Sequence, residues 1–155
     1  MQPEDDSADY VISFCFCAEH TTAEEMVRIV GIQPTSIRPK NVPWSEGGGD
    51  AGGNDNLHRI YFQSAKRLPG RHFAIDDFET TLRERLALFA ARPEALAELR
   101  RVCHRITLVC SIRSSGRSIM LPFSPDTLQL LAAVGFEFHL TCRTKTPQRT
   151  PDEVA

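Results

Sequence analysis

Six side chains carry the strongest chemical signal in this 155-residue sequence. Arg38, Lys40, Trp44, His58, Arg59 and Tyr61 gather around one irregular stretch. Arg, Trp and Tyr are the residues most enriched where interfaces concentrate binding energy, and loops on a rigid scaffold carry much of binding function. The chemistry that this group could do is recognition: cation, hydrogen bond and aromatic face presented together. The plainer alternative is that Trp44 packs over a sheet, as a lone Trp usually does, while the cations stand in water.

Catalytic patterns are weaker. Nucleophilic catalysis needs a Ser or Cys beside a base that a third group holds, and no G-x-S-x-G elbow occurs. The carboxylate pair Asp5-Asp6 lies in a terminal stretch, and Glu24-Glu25 and Asp76-Asp77 lie where helices begin. Carboxylates are expected there from the helix dipole alone. The glycines from Gly47 to Gly53 are followed by neither Lys nor Ser, so they do not make a phosphate-binding loop. One partial match to a calcium-binding nonapeptide at 53–57 stands alone, whereas such repeats work by stacking. His20, His58, His72, His104 and His139 are scattered without H-x-x-x-H spacing. The five cysteines, Cys15, Cys17, Cys103, Cys110 and Cys142, show neither a C-x-x-C pair nor a disulfide framework. Cys15-x-Cys17 puts two sulfurs on one strand face, a spacing that does not match a zinc knuckle. The expectation is no catalytic residue, no metal and no cofactor, with core cysteines and surface histidines.

Composition narrows the class. The chain is 41% hydrophobic and 25% charged, ordinary for a globular domain, and its length fits one domain. Collagen, coiled coil, disulfide scaffold and membrane protein drop out. A net charge of −2 argues against a nucleic-acid partner, which usually meets a basic excess. The charge is uneven: residues 1–60 hold 4 basic and 10 acidic groups, and residues 61–155 hold 14 and 10. Either the surface is mixed and solvated, or an acidic face is offered to a basic partner. No apolar run is long enough to span a membrane, and the acidic start has no secretory h-region. With an odd set of unpatterned cysteines, this points to a reducing compartment, the cytoplasm.

The elements that must position these residues follow from periodicity. Residues 9–18 alternate as a strand whose two faces are both largely apolar, which predicts a central strand covered on both sides. Thr22-Ala23-Glu24-Glu25 fits a capping box. Met26, Ile29 and Val30 form the helix stripe, and Gly31 fits the left-handed C-terminal cap. Residues 33–56 are irregular, with a Gly-rich insert at 46–56. Residues 57–65 resume as a strand. Phe78, Leu82, Leu86 and Phe89 predict one face of a helix over 73–91, and Pro93 opens a second helix with Leu96 and Leu99 turned inward. Ile106, Leu108, Cys110 and Ile112 alternate as a strand. Ser114-Ser115-Gly116 reads as a hairpin turn and 118–121 as its return strand. Ser124 caps a helix striped by Leu128, Leu131 and Ala132, and Gly135 ends it. Phe136, Phe138, Leu140 and Cys142 alternate as the last strand. Val30-Gly31-Ile32 and Val134-Gly135-Phe136 echo each other. The whole predicts a single α+β domain over 9–145 between loose tails at 1–8 and 146–155. Its order is β-α-β-α-α-β-β-α-β, a two-layer sandwich with helices on one face of a mostly antiparallel sheet.

The run Val30-Gly31-Ile32-Gln33-Pro34-Thr35, after a capped helix and an apolar strand, resembles the helix-Gly-Ile-x-Pro-Thr signature of DUF4279, a bacterial family of uncharacterised small domains. The segment from Leu130 to Leu140 is similar to that family's closing helix-Gly-strand. The resemblance spans roughly residues 9–143 and is carried by its two ends. It implies a compact bacterial α+β domain and brings no activity or catalytic residue with it.

The function these features point to is a non-enzymatic protein-interaction module, in its sharpest form an immunity-type protein that neutralises a toxin. The rival is a small-molecule binder or enzyme with a pocket between sheet and helices near Trp44. The expected partner is a protein, not a nucleic acid or a membrane, and the chain is expected to be a monomer or a homodimer pairing through a sheet edge.

Overall fold

The computed structural model describes residues 9–41, 56–67, 75–114 and 120–144. Both terminal tails, Trp44, the Gly-rich insert up to Asp55, and the turn at Ser115-Gly116 lie outside the described residues. The elements run β1 (Tyr10–Ala18), α1 (Ala23–Val30), β2 (Ser36–Arg38), β3 (His58–Lys66), α2 (Ile75–Ala90), α3 (Pro93–Val102), β4 (Arg105–Ser114), α4 (Pro125–Val134) and β5 (Glu137–Thr144). The class is α+β.

Alternation in β1 decides the layering. Tyr10, Ile12, Phe14 and Phe16 are buried on one face, and the core built there takes in Met26 and Val30 of α1, Phe78 to Phe89 of α2, and Leu96 and Leu99 of α3. Cys15 and Cys17, on the other face, are buried but stand outside that core cluster. β1 is central, as its two apolar faces predict, and among the described residues the helices build on one face while Cys15 and Cys17 are buried on the other.

The sheet order is β2-β3-β1-β4-β5. β1 lies antiparallel to both β3 and β4, with Phe14 opposite Phe62 on one side and Leu108 on the other. β5 runs parallel to β4, pairing Leu108 with Phe138. The sheet is thus mixed rather than mostly antiparallel. Parallel neighbours need a crossover, usually a helix, and α4 supplies it. Met120 and Leu121, read from sequence as the end of a return strand, belong to no strand.

The two echoing segments do the same job. Gly31 (φ 69°) and Gly135 (φ 64°) each adopt the left-handed conformation and donate N–H to Val27 and Leu131 respectively. Glycine enters this region without the clash a Cβ brings. At Gly135 a Cβ would also come 3.1 Å from Arg100 Nη2, which donates to the Val134 carbonyl. After Gly31 the chain buries Pro34 and locks onto β3: Thr35 N–H donates to the Tyr61 carbonyl at 2.7 Å, and Gln63 N–H donates to Thr35 Oγ1 at 2.7 Å. That anchor produces β2, a short strand inside the stretch expected to be irregular.

Two local expectations change in detail. Thr22 Oγ1 accepts from Glu25 N–H at 3.2 Å, as a cap should, but the Glu25 carboxylate turns to Arg28 instead of completing the box. In α4 the buried residues are Thr127 and Val134, whereas Leu128 is half exposed. That helix is apolar nearly all round, so hydrophobicity alone could not set its phase. Glu79 of α2 sets it, accepting from Ser124 N–H at 2.7 Å and from the Thr127 hydroxyl at 2.6 Å.

Phe89 sits at the centre of the core, its ring 4.7 Å from Phe14, 5.3 Å from Phe62, 5.6 Å from Phe16 and 5.8 Å from Phe136. Phe89→Ala is expected to cost about 3–5 kcal/mol, a large part of a domain's usual margin, read as a fall in the urea midpoint. The Thr127 hydroxyl, then the Ser124 N–H, hold the Glu79 carboxyl down at about 2. Its folded value lies below its unfolded one, so its contribution is present above pH 4.5 and fades as pH falls toward 2. Glu79→Gln should flatten the loss of urea midpoint across that window; an unchanged acid profile would show that the carboxylate is not coupled to folding.

Candidate functional site

The same alternation that fills the core sends a second set of side chains to the opposite face, which is helix-free among the described residues. Register lays them out across the sheet. Arg38 stands beside Arg59, Arg59 beside Cys17, and Cys17 beside Arg105. In the next row Tyr61, Cys15, Thr107 and Glu137 are neighbours in turn. Gln63, Ser13, Val109 and His139 follow, and Arg113 meets Arg143 at the far corner.

Two polar clusters form on this surface. Arg105 Nε and Nη2 donate to the Glu137 carboxylate at 2.7 and 2.8 Å, and His139 Nε2 lies 2.7 Å from the same carboxylate. Arg105 first, then His139, lower the Glu137 carboxyl. The second cluster is the sulfur pair. Cys15 and Cys17 sulfurs are 3.4 Å apart, with the residues 7% and 4% exposed. The contact with Cys17, and then burial, push the Cys15 thiol upward, while Arg59 and a hydrogen bond with Tyr61 act against them. Protonated, buried thiols are poor nucleophiles. Burial pushes the Tyr61 phenol up to about 12, helped by its charge interaction with Cys15 and opposed by Arg59.

The structure brings together part of the group singled out from sequence. Arg38, Arg59 and Tyr61 share the helix-free face. Lys40 and His58 meet at its rim: Lys40 N–H donates to His58 Nδ1 at 3.1 Å, and Lys40 Nζ donates to the Glu19 carbonyl at 3.3 Å. The Lys40 ammonium thus ties down the end of β1 and does not join the arginines. Trp44 lies outside the described residues. Sequence reasoning passed over Arg105, Arg113, Glu137, His139 and Arg143. Their signal is the polar half of the period-two pattern in β4 and β5, the residues between the apolar ones that were read as core. Among the described residues no three His, Cys, Asp or Glu side chains come together as a metal site, and no helix is long and apolar enough to cross a membrane.

Comparison with protein-family models, with curated proteins and with solved structures finds no match.

The sequence holds two tyrosines, and both are held neutral. Burial first, then the hydrogen bond that Tyr10 donates to Asp77 at 2.6 Å, raises Tyr10 to about 12 as well. These raised values stabilise the fold below the ordinary tyrosine value of about 10, and the contribution is lost as pH rises through 12. An alkaline absorbance titration of the native chain should therefore show tyrosinate appearing near pH 12, falling back to about 10 in urea. A native transition near 10 in either Tyr10→Phe or Tyr61→Phe would show that the remaining ring is not sequestered.

Proposed function

We propose that this protein is a non-enzymatic interaction module that takes an acidic protein surface on the helix-free face of its sheet. One observation carries the reading. Among the described residues of that face, Arg38, Arg59, Arg105, Arg113 and Arg143 stand against Glu137 and the adjoining Asp9. A surface with one dominant sign steers and selects a partner of the other sign. Arginine suits the task, since its planar fork binds carboxylates through paired hydrogen bonds. The reading reverses the sign expected from the acidic first part of the sequence: among the described residues there, Glu24 and Glu25 lie on α1, while β2 and β3 contribute Arg38 and Arg59 to the sheet face.

An immunity-type protein is the form of this reading in which the acidic surface belongs to a toxin. Membership of DUF4279 belongs to the same proposal. Both segments that carry the resemblance end a helix on a left-handed glycine and lead into a strand at a sheet edge, β2 in one case and β5 in the other. The reading sets the chain in a bacterial cytoplasm, where buried free thiols such as Cys15, Cys17 and Cys110 persist.

The test is charge reversal at the corner of the face where half-buried Arg113 and exposed Arg143 meet. Arg113→Glu with Arg143→Glu should leave the melting temperature within a few degrees of the parent. It should weaken capture of the partner at least about tenfold, equivalent to about 1.4 kcal/mol. Binding to the parent chain should also fall steeply with added salt. A partner held equally by both chains, or insensitively to salt, would place the interface elsewhere.

A further inference from the structure

We propose that Cys15 and Cys17 form a two-thiolate site for a soft monovalent metal ion, with copper(I) as the biological member of that class. The starting point is geometry. The two residues are i and i+2 on a strand that is hydrogen-bonded on both sides, so their side chains leave the same face in parallel. Their sulfurs lie 3.4 Å apart.

A disulfide fits this frame poorly. Successive same-face residues of a strand are about 6.6 Å apart at the Cα atoms, and their parallel Cβ atoms are similarly spaced. A disulfide wants its Cβ atoms within about 3.5–4.5 Å. Closing the bond would draw β1 out of register with both β3 and β4. A bridging metal asks for less. With metal–sulfur bonds of about 2.3 Å, two thiolates on opposite sides of one ion span about 4.6 Å. Binding asks the two sulfurs to part from 3.4 Å to that distance by rotation of the Cys side chains.

The donor set then selects the ion. Zinc asks for four ligands in a tetrahedron, and the Cys103 thiol, which could extend the pair, is turned to the Met26 sulfur 3.7 Å away. The two soft thiolates that the described residues supply suit copper(I), which accepts sulfur ligands in low coordination number. Binding releases both thiol protons to solvent, transfers no electron, and leaves a bis-thiolate complex with one net negative charge. That charge is matched where it forms. Arg59 is the β3 residue opposite Cys17, Tyr61 is the one opposite Cys15, and Arg38 stands beside Arg59 on β2. The guanidinium and phenol interact with Cys15 in the metal-free protein. They would orient and compensate the thiolates as outer partners do around metal sites. This site does not depend on the acidic-partner reading.

The test titrates the full chain with copper(I) under anaerobic conditions, with bathocuproine disulfonate as the coloured competitor. Cys15→Ser, Cys17→Ser and Cys142→Ser are run alongside; Cys142 is exposed on β5, far across the sheet order from the pair. The parent chain and Cys142→Ser are expected to withdraw one equivalent, and the other two none. Arg59→Met is expected to lower affinity by about tenfold or more. Failure of the parent chain to compete, or equal retention by all the variants, overturns the proposal. X-ray absorption on the loaded parent chain needs no variant to fold: two sulfur neighbours support the site, and nitrogen, oxygen or a third sulfur at the ion overturns it.

Discussion

The packing of Phe89 against Phe14, Phe16, Phe62 and Phe136 is the interaction on which the rest of the molecule depends. It joins α2 to β1, β3 and the entry of β5 in one contact set. Edge-on and tilted aromatic pairs contribute beyond their buried area, and here each ring also fixes which way its strand faces. Once Phe14 and Phe16 point at Phe89, Cys15 and Cys17 must point away from it. The candidate site is therefore the reverse side of the core, and its geometry is inherited from aromatic packing.

Polar contacts finish what that packing leaves undetermined. α4 could have turned any of several leucines inward. The Glu79 carboxylate, taking the Ser124 N–H and the Thr127 hydroxyl, admits one phase. At the other end of the sheet, Asp77 accepts from Tyr10 at 2.6 Å and from Lys66 at 2.6 Å, holding the start of α2 over β1 and β3. Asp77 sits in the first turn of α2, where the helix dipole favours negative charge, and Glu79 follows in the second turn. Asp77, one member of the carboxylate pair at the start of α2, is thus a clasp between layers.

Much of the fold was legible from periodicity. The stripe Phe78, Leu82, Leu86 and Phe89 is wholly buried, as are Met26, Val30, Leu96 and Leu99. The glycine caps at Gly31 and Gly135 have the expected left-handed geometry. What escaped was whatever depends on pairing between distant segments. β2 exists because Thr35 finds Tyr61 and Gln63, and β5 is parallel because α4 carries the chain across. Neither has a local signature. The candidate site was half legible for the same reason. Arg38, Arg59 and Tyr61 are near one another in the recognisable stretch, but only strand register adds Cys15, Cys17, Arg105 and Glu137 beside them.

The sheet order carries a consequence for how the chain is made. β1 is central, yet its neighbours come late: Tyr10 pairs with Lys66 on one side and with Ile112 on the other. Synthesis proceeds at about 5–20 residues per second, so roughly 5–20 s separate the translation of β1 from that of β4. Through that interval the strand richest in aromatic and sulfur side chains has no partner on its β4 side. The nascent chain is most exposed to aggregation, and most dependent on a chaperone or on the ribosome surface, before β4 emerges to close the sheet.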